Sequence, residues 1–235
     1  MTPLYLDNHL LVVSKPAGML SQADRTGDPD LVTWAKAYLR ERFDKPGNVF
    51  VGLVHRLDRP TSGVVVLART SKAAGRLAEQ FRRRAPDKRY LAVLDGVLAE
   101  RGEAVDGIIQ GDGGSVRVVA PDHPEAQRAA LRWRTLAASG RPGGDQSLVE
   151  VTLETGRKHQ IRAQLAARGA PVLGDFRYGK PTPFADGRGI ALHAWRLSVE
   201  HPTRREPVVF SAPPPAAWAG HFEDAVARVL ASAET

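Results

Sequence analysis

Short apolar runs of strand length recur along the whole of this chain, and each meets a turn signal within a few residues. "LYLDNHLLVVSKPAG" opens it as two short strands about a turn at Asp7-Asn8, followed by a second turn at Pro16-Ala17-Gly18. "NVFVGLVHRLD", "GVVVLART" and "YLAVLDGVL" read as further strands, and "SLVEVTLET" alternates with Val149, Val151 and Leu153 opposite Glu150, Thr152 and Glu154. Strict alternation of this kind marks a half-buried strand. "IALHAWRLSVE", the turn "HPTRRE" and "PVVFSA" read as a hairpin near the C-terminus. Helical spacing interrupts the strands four times. It appears in "DLVTWAKAYLRERF" with Asp30 as N-cap, in "SKAAGRLAEQF" capped by Ser71, in "GRKHQIRAQLAARG" ending at Gly169, and in a last stripe of Trp218, Phe222, Ala225, Val226 and Val229. Many strands, few helices and hairpin-length turns argue an α+β fold, with a mixed, mostly antiparallel sheet and flanking helices. Residues 101–146 are rich in Gly, Pro and charge and resist assignment. No long linker divides the chain, so residues 1–235 are expected to form a single domain of at most two subdomains.

Charge and composition narrow the function. The 235 residues carry a formal net charge of +7, with 26 arginines against 7 lysines. A planar guanidinium binds phosphate oxygens bidentately, so this excess suits nucleic acid; a GC-rich genome explains the preference for arginine equally well, but not the net charge. The absence of cysteine excludes disulfides, iron–sulfur clusters and thiol catalysis. No apolar run approaches a membrane span and no signal pattern leads the chain, so a cytoplasmic location is expected. "GDFRYGKP" has P-loop spacing, but Pro181 offers neither the hydroxyl nor the N–H that such a loop needs. The seven histidines show no metal-ligand spacing, and Ser62 lacks G-x-S-x-G surroundings. Neither a metal nor a cofactor is expected.

Within "VHRLDRPTSG", at residues 54–63, Asp58 has an arginine two places before it and another directly after. Taken alone it reads first as a surface ion pair. Three further stretches change its meaning: "KRYLAVLDG" at 88–96, "TGRKHQIRAQL" at 155–165 and "GDFRYG" at 174–179. In this order, after an opening that ends in K-P-A-G, the set resembles the RluA-type family of RNA pseudouridine synthases over most of the chain. The resemblance implies the pseudouridine synthase fold with a central RNA-binding cleft, and an isomerase that converts uridine to pseudouridine in tRNA or rRNA without a cofactor. It leaves no separate N-terminal RNA-binding domain, and the enzyme is expected to act as a monomer.

By that resemblance Asp58 is the catalytic carboxylate, Arg162 its ionic partner, and Tyr90 the ring that stacks on the base and takes the C5 proton. Breaking the N1–C1′ bond builds positive character at C1′, which an ionised carboxylate can attack or stabilise. Arg56 is assigned to the gap left by the extruded uridine; if residues 55–58 run extended it shares a face with Asp58. His55, Arg59, Arg157, Lys158 and His159 are expected to face RNA, and Arg82, Arg83, Arg84, Lys88 and Arg89 are candidate phosphate contacts. Lys158 and Gln164 depart from the family's usual threonine and histidine, and residues 101–135 match it poorly. A non-catalytic RNA-binding protein of the same fold is the alternative, although it has no need of Asp58, Tyr90 and Arg162 together. A glycosidase or nucleoside hydrolase would instead release free uracil.

Overall fold

The computed structural model describes residues 1–140 and 144–232. In chain order the elements are β1 (Pro3–Leu6), β2 (Leu10–Lys15), α1 (Leu31–Arg42), β3 (Gly52–Leu53), β4 (Ser62–Ala68), α2 (Ser71–Arg82), β5 (Asp87–Leu94), β6 (Arg101–Gln110), β7 (Val116–Val119), β8 (Gln127–Ser139), β9 (Gln146–Leu153), α3 (Gln160–Ala166), β10 (Leu192–Glu200), β11 (Pro207–Ser211) and α4 (Glu223–Ala231). This is the α+β architecture expected from the pattern, with mostly antiparallel pairing. The chain divides into two compact units, Met1–Asp87 with Ala194–Ala212, and Lys88–His193 with Pro213–Thr235. Among the described residues no helix is long and apolar enough to cross a membrane.

In the first unit the strand order is β1-β2-β4-β10, with β3 also on β4 and β11 on β10. Asp7 makes the first turn: its carboxylate accepts from the backbone N–H groups of His9 and Leu10 and from Tyr5 Oη. The β2–β4 register pairs Leu10 with Ala68, Val12 with Val66 and Lys15 with Gly63. Leu10, Val12, Val64, Val66 and Ala68 therefore share one face, which Ala73 and Leu77 of α2 cover together with Leu197, Val199 and Phe210. Asp30 caps α1 as expected, accepting from Thr33 N–H. The buried stripe of α1 is Leu31, Ala35 and Leu39, while Trp34 and Tyr38 stack on each other at 5.3 Å beside it. Helix α2 is capped by Thr70 rather than Ser71, and its buried residues are Ala73 and Leu77.

Gly63 enters β4 with φ +126°, and a Cβ there would lie 2.3 Å from the carbonyl oxygen of Ala194 in β10. Only a residue without a side chain fits that approach.

The second unit carries the order β5-β9-β8-β6-β7, every neighbour antiparallel. The stretch that the sequence left unassigned supplies β6, β7 and β8. Its outward positions hold Arg101, Glu103, Arg128, Arg132 and Arg134, which masks the alternation that its inward Ala104, Ala129 and Leu131 would otherwise show. Strand β9 is buried on both faces, and even Glu150 is only 8% exposed. Ala163 of α3 packs against Ile108, Val116 and Ala129. Trp218 and Phe222 precede α4 rather than belonging to it, so its buried stripe reduces to Ala225 and Val229.

Candidate active site and RNA-facing residues

Asp58 stands in the first unit, and Tyr90 and Arg162 stand in the second. In the first, the pairing of Lys15 with Gly63 sends the chain out of β2 beside the segment that enters β4. Residues 15–21 and 57–61 thus run together, and they are tied by polar bonds. Ser21 Oγ donates to the Leu57 carbonyl at 2.7 Å and accepts from the Leu57 N–H at 3.2 Å. Two places on, the Arg59 carbonyl accepts from Gly18 N–H at 2.8 Å and from Lys15 Nζ at 3.3 Å. Arg59 Nε returns a bond to the Gly18 carbonyl at 3.1 Å, and the Arg59 guanidinium pairs with Asp28 at 2.8 Å. Thr61 N–H closes a turn onto the Asp58 carbonyl at 3.0 Å. Leu57 is buried, while Arg56 is exposed and Asp58 half-buried, as an extended stretch with Arg56 and Asp58 on one face requires.

Lys15 is fully buried, an uncommon position for an ammonium group. Its Nζ donates to the carbonyls of Pro16 at 3.0 Å and Met19 at 2.8 Å as well as to Arg59. Burial drives its pKa down to about 7, against the pull of the Asp58 charge, with Arg59 adding to the depression. Of the residues assigned to RNA, Arg56 makes no hydrogen bond or ion pair among the described residues. Its neighbour differs: His55 Nε2 accepts from Val66 N–H at 3.0 Å, and the ring stacks on Phe81 at 4.6 Å. Arg82 and Arg83 both pair with Glu79, leaving most of each side chain in solvent, and Arg84 is exposed.

In the second unit the same kind of precision is reached with side chains. "TGRKHQIR" makes a tight loop into α3, with Thr155 Oγ1 accepting from Ala130 N–H and donating to Gln160 Oε1 at 2.7 Å. Gln160 Oε1 also accepts from Arg157 N–H, and its Nε2 donates to the Ala130 carbonyl. His159 takes φ +53° where the helix begins, and its Nδ1 lies 2.8 Å from Tyr178 Oη. Arg162, 6% exposed in its side chain, is gripped by Asp175 through Nε–Oδ2 at 2.6 Å and Nη2–Oδ1 at 2.9 Å. The same Asp175 carboxylate accepts from the N–H of Arg177, and the Arg162 guanidinium lies 5.2 Å from the Tyr178 ring centroid. Burial raises the Tyr178 pKa, opposed by the Val116 N–H bond to its oxygen and by Arg162 and Arg177.

Tyr90 lies on β5 opposite Val151, on the face that continues through Trp133 of β8. Arg89 points to the other face, 4.0 Å from Glu150, which also pairs with Arg134. Lys88 Nζ donates to the Thr155 carbonyl, Arg157 Nε donates to the Arg128 carbonyl, and Lys158 is exposed. Gln164 is fully buried, with Nε2 donating to Asp106 at 2.6 Å and to the Ala129 carbonyl, so it faces the sheet and not a ligand. Sequence reasoning gave no role to Asp175, Tyr178, Lys15 or Ser21. The first three lie inside motifs quoted for the resemblance, but neither the Arg162–Asp175 pairing nor the burial of a lysine has a signature in sequence spacing.

A family model described as RNA pseudouridylate synthase matches residues 9–167. The dual-specificity RNA pseudouridine synthase RluA of Haemophilus influenzae is 34% identical over 209 residues, covering 89% of this chain and 91% of the relative. The ribosomal large subunit pseudouridine synthase D of Xanthomonas campestris is 37% identical over 227 residues, covering 90% of this chain and 65% of that longer protein. Among solved structures, human RNA pseudouridylate synthase domain containing 4 superposes with a TM-score of 0.74 at 24% identity, covering 97% of this chain and 92% of that one.

Proposed function

The chain belongs to the RNA pseudouridylate synthase family, and on that premise we propose that it isomerises uridines of transfer or ribosomal RNA with Asp58 as the catalytic carboxylate. The target uridine leaves its stack, since no side chain reaches C1′ inside a helix. Asp58 meets the sugar as the N1–C1′ bond breaks, stabilising the positive character at C1′ or bonding to it. The freed uracil turns, C5 bonds to C1′, and the C5 proton leaves. Atoms and electrons balance within the nucleotide, so no oxidant or reductant is called for. Tyr90 stacks on the base and accepts the proton. Arg162, its guanidinium oriented by Asp175, supplies positive charge to the reacting centre. Arg56 enters the space vacated by the base, while the arginines at the end of α2 and the loop from Arg157 to His159 take phosphates. In this reading residues 1–235 act in the cytoplasm, as one catalytic domain and as a single chain.

The observation that carries the proposal is that the matched segment, residues 9–167, contains Asp58, Tyr90 and Arg162. The test uses RNA tritiated at uridine C5. The protein should set label free without releasing free uracil, and Asp58→Asn should set none free. Free uracil among the products would point to hydrolysis, and no release from unmodified tRNA and rRNA would point to an RNA-binding protein without chemistry.

A further inference from the structure

Asp58 sits in a segment without regular secondary structure, yet the backbone on both sides of it is immobilised by one neighbouring loop. Ser21, 6% exposed, uses a single hydroxyl to satisfy both the N–H and the carbonyl of Leu57, the residue directly before Asp58. Gly18 and Lys15 take the carbonyl of Arg59, the residue directly after. None of these bonds goes to the Asp58 carboxylate. A hydroxyl bonded to both the N–H and the carbonyl of Leu57 holds the two peptide planes that flank its Cα, the second of which leads into Asp58. The catalytic carboxylate is then aimed by the peptide that precedes it.

We propose that Ser21 is a positioning residue for the isomerisation: its hydroxyl clamps Leu57 and thereby sets where the Asp58 carboxylate meets the sugar, with the Gly18–Arg59 bonds as the opposite jaw. The proposal rests on the reading of Asp58 as the catalytic group. Its consequence is kinetic. A group that attacks or stabilises C1′ acts through sub-ångström placement, and misplacement by about 1 Å costs on the order of a hundredfold in rate. RNA binding, in contrast, draws on many phosphate contacts that Ser21 does not touch.

The experiment compares Ser21→Ala, Ser21→Thr and Asp58→Asn in the full chain, by label release from C5-tritiated RNA with kcat and KM measured separately. Ser21→Ala should lower kcat about tenfold or more and leave KM within about twofold of wild type. Ser21→Thr, which keeps the hydroxyl, should recover most of that loss. If Ser21→Ala does not fold, Ser21→Cys keeps the size, weakens both bonds and is expected to show the same split. An unchanged kcat in Ser21→Ala beside an inactive Asp58→Asn overturns the clamp and leaves the catalytic aspartate standing. Equal losses in kcat and in RNA affinity also overturn it. An active Asp58→Asn removes the reading on which the clamp rests, and the clamp with it.

Discussion

Asp58 and Arg162 are both charged groups assigned to one reaction, and their surroundings are supported by different kinds of bond. Around Asp58 the backbone is held on both sides: Ser21 holds Leu57, Gly18 and Lys15 hold Arg59, and Thr61 holds the Asp58 carbonyl. Around Arg162 the grip is on the functional group itself, through the bidentate Asp175 pair, with Tyr178 against the guanidinium. Main-chain support fixes where a nucleophile or electrostatic stabiliser stands whatever its oxygens meet. A guanidinium has five N–H donors, and two can be given to a partner without exhausting it.

This contrast can be broken experimentally, starting beyond the loss of activity expected of Asp58→Asn. Asp175→Ala removes the bidentate partner of a buried guanidinium and should cost about 3–5 kcal/mol of stability, read as a fall in the urea midpoint. Ser21→Ala deletes neutral bonds to the backbone and should cost only about 1 kcal/mol in the same measurement. Equal losses in the two variants would erase the distinction between a charge held by a charge and a charge held through its peptide.

Lys15 sharpens the same comparison, because the main-chain support of Asp58 itself contains a buried amine. Its pKa falls from 10.5 to about 7 on folding, chiefly through burial. Between those values the unfolded chain binds a proton that the folded chain lacks, so stability rises with pH across that window and is level below about 7. Lys15→Met keeps the stem and removes the titration. The difference in unfolding free energy between wild type and Lys15→Met should therefore change across the window, and a constant difference would contradict the burial argument. The smallest effect is expected at Arg56, which has no partner among the described residues to lose. Arg56→Ala should leave the midpoint unchanged while weakening binding of RNA that carries the target uridine.

Much of the first unit was readable in advance. The Asp7 turn, the Asp30 cap and the β10–β11 hairpin follow from local chemistry, because each partner lies within a few residues of the group it satisfies. Strands β6 and β8 were not legible, since arginine and glutamate fill most of their exposed positions. At the site, Asp58, Tyr90 and Arg162 were named from their motifs, but their supports were not. Asp175 lies 13 residues from Arg162, and Ser21 lies 36 from Leu57. Such pairings depend on which loops the sheet register brings side by side. His55 shows the converse, since a histidine next to the arginine assigned to RNA contacts Val66 and Phe81 of its own unit.

Gly63 adds a constraint of a different order. With Ala194 so near, any methyl group at this point would have to displace an entire neighbouring strand. Five residues after Asp58, the molecule has a contact whose only tolerance is the missing atom. A library of substitutions across residues 55–63 should therefore fail at Gly63 for reasons of assembly, yielding insoluble chains where its neighbours yield soluble but slow ones.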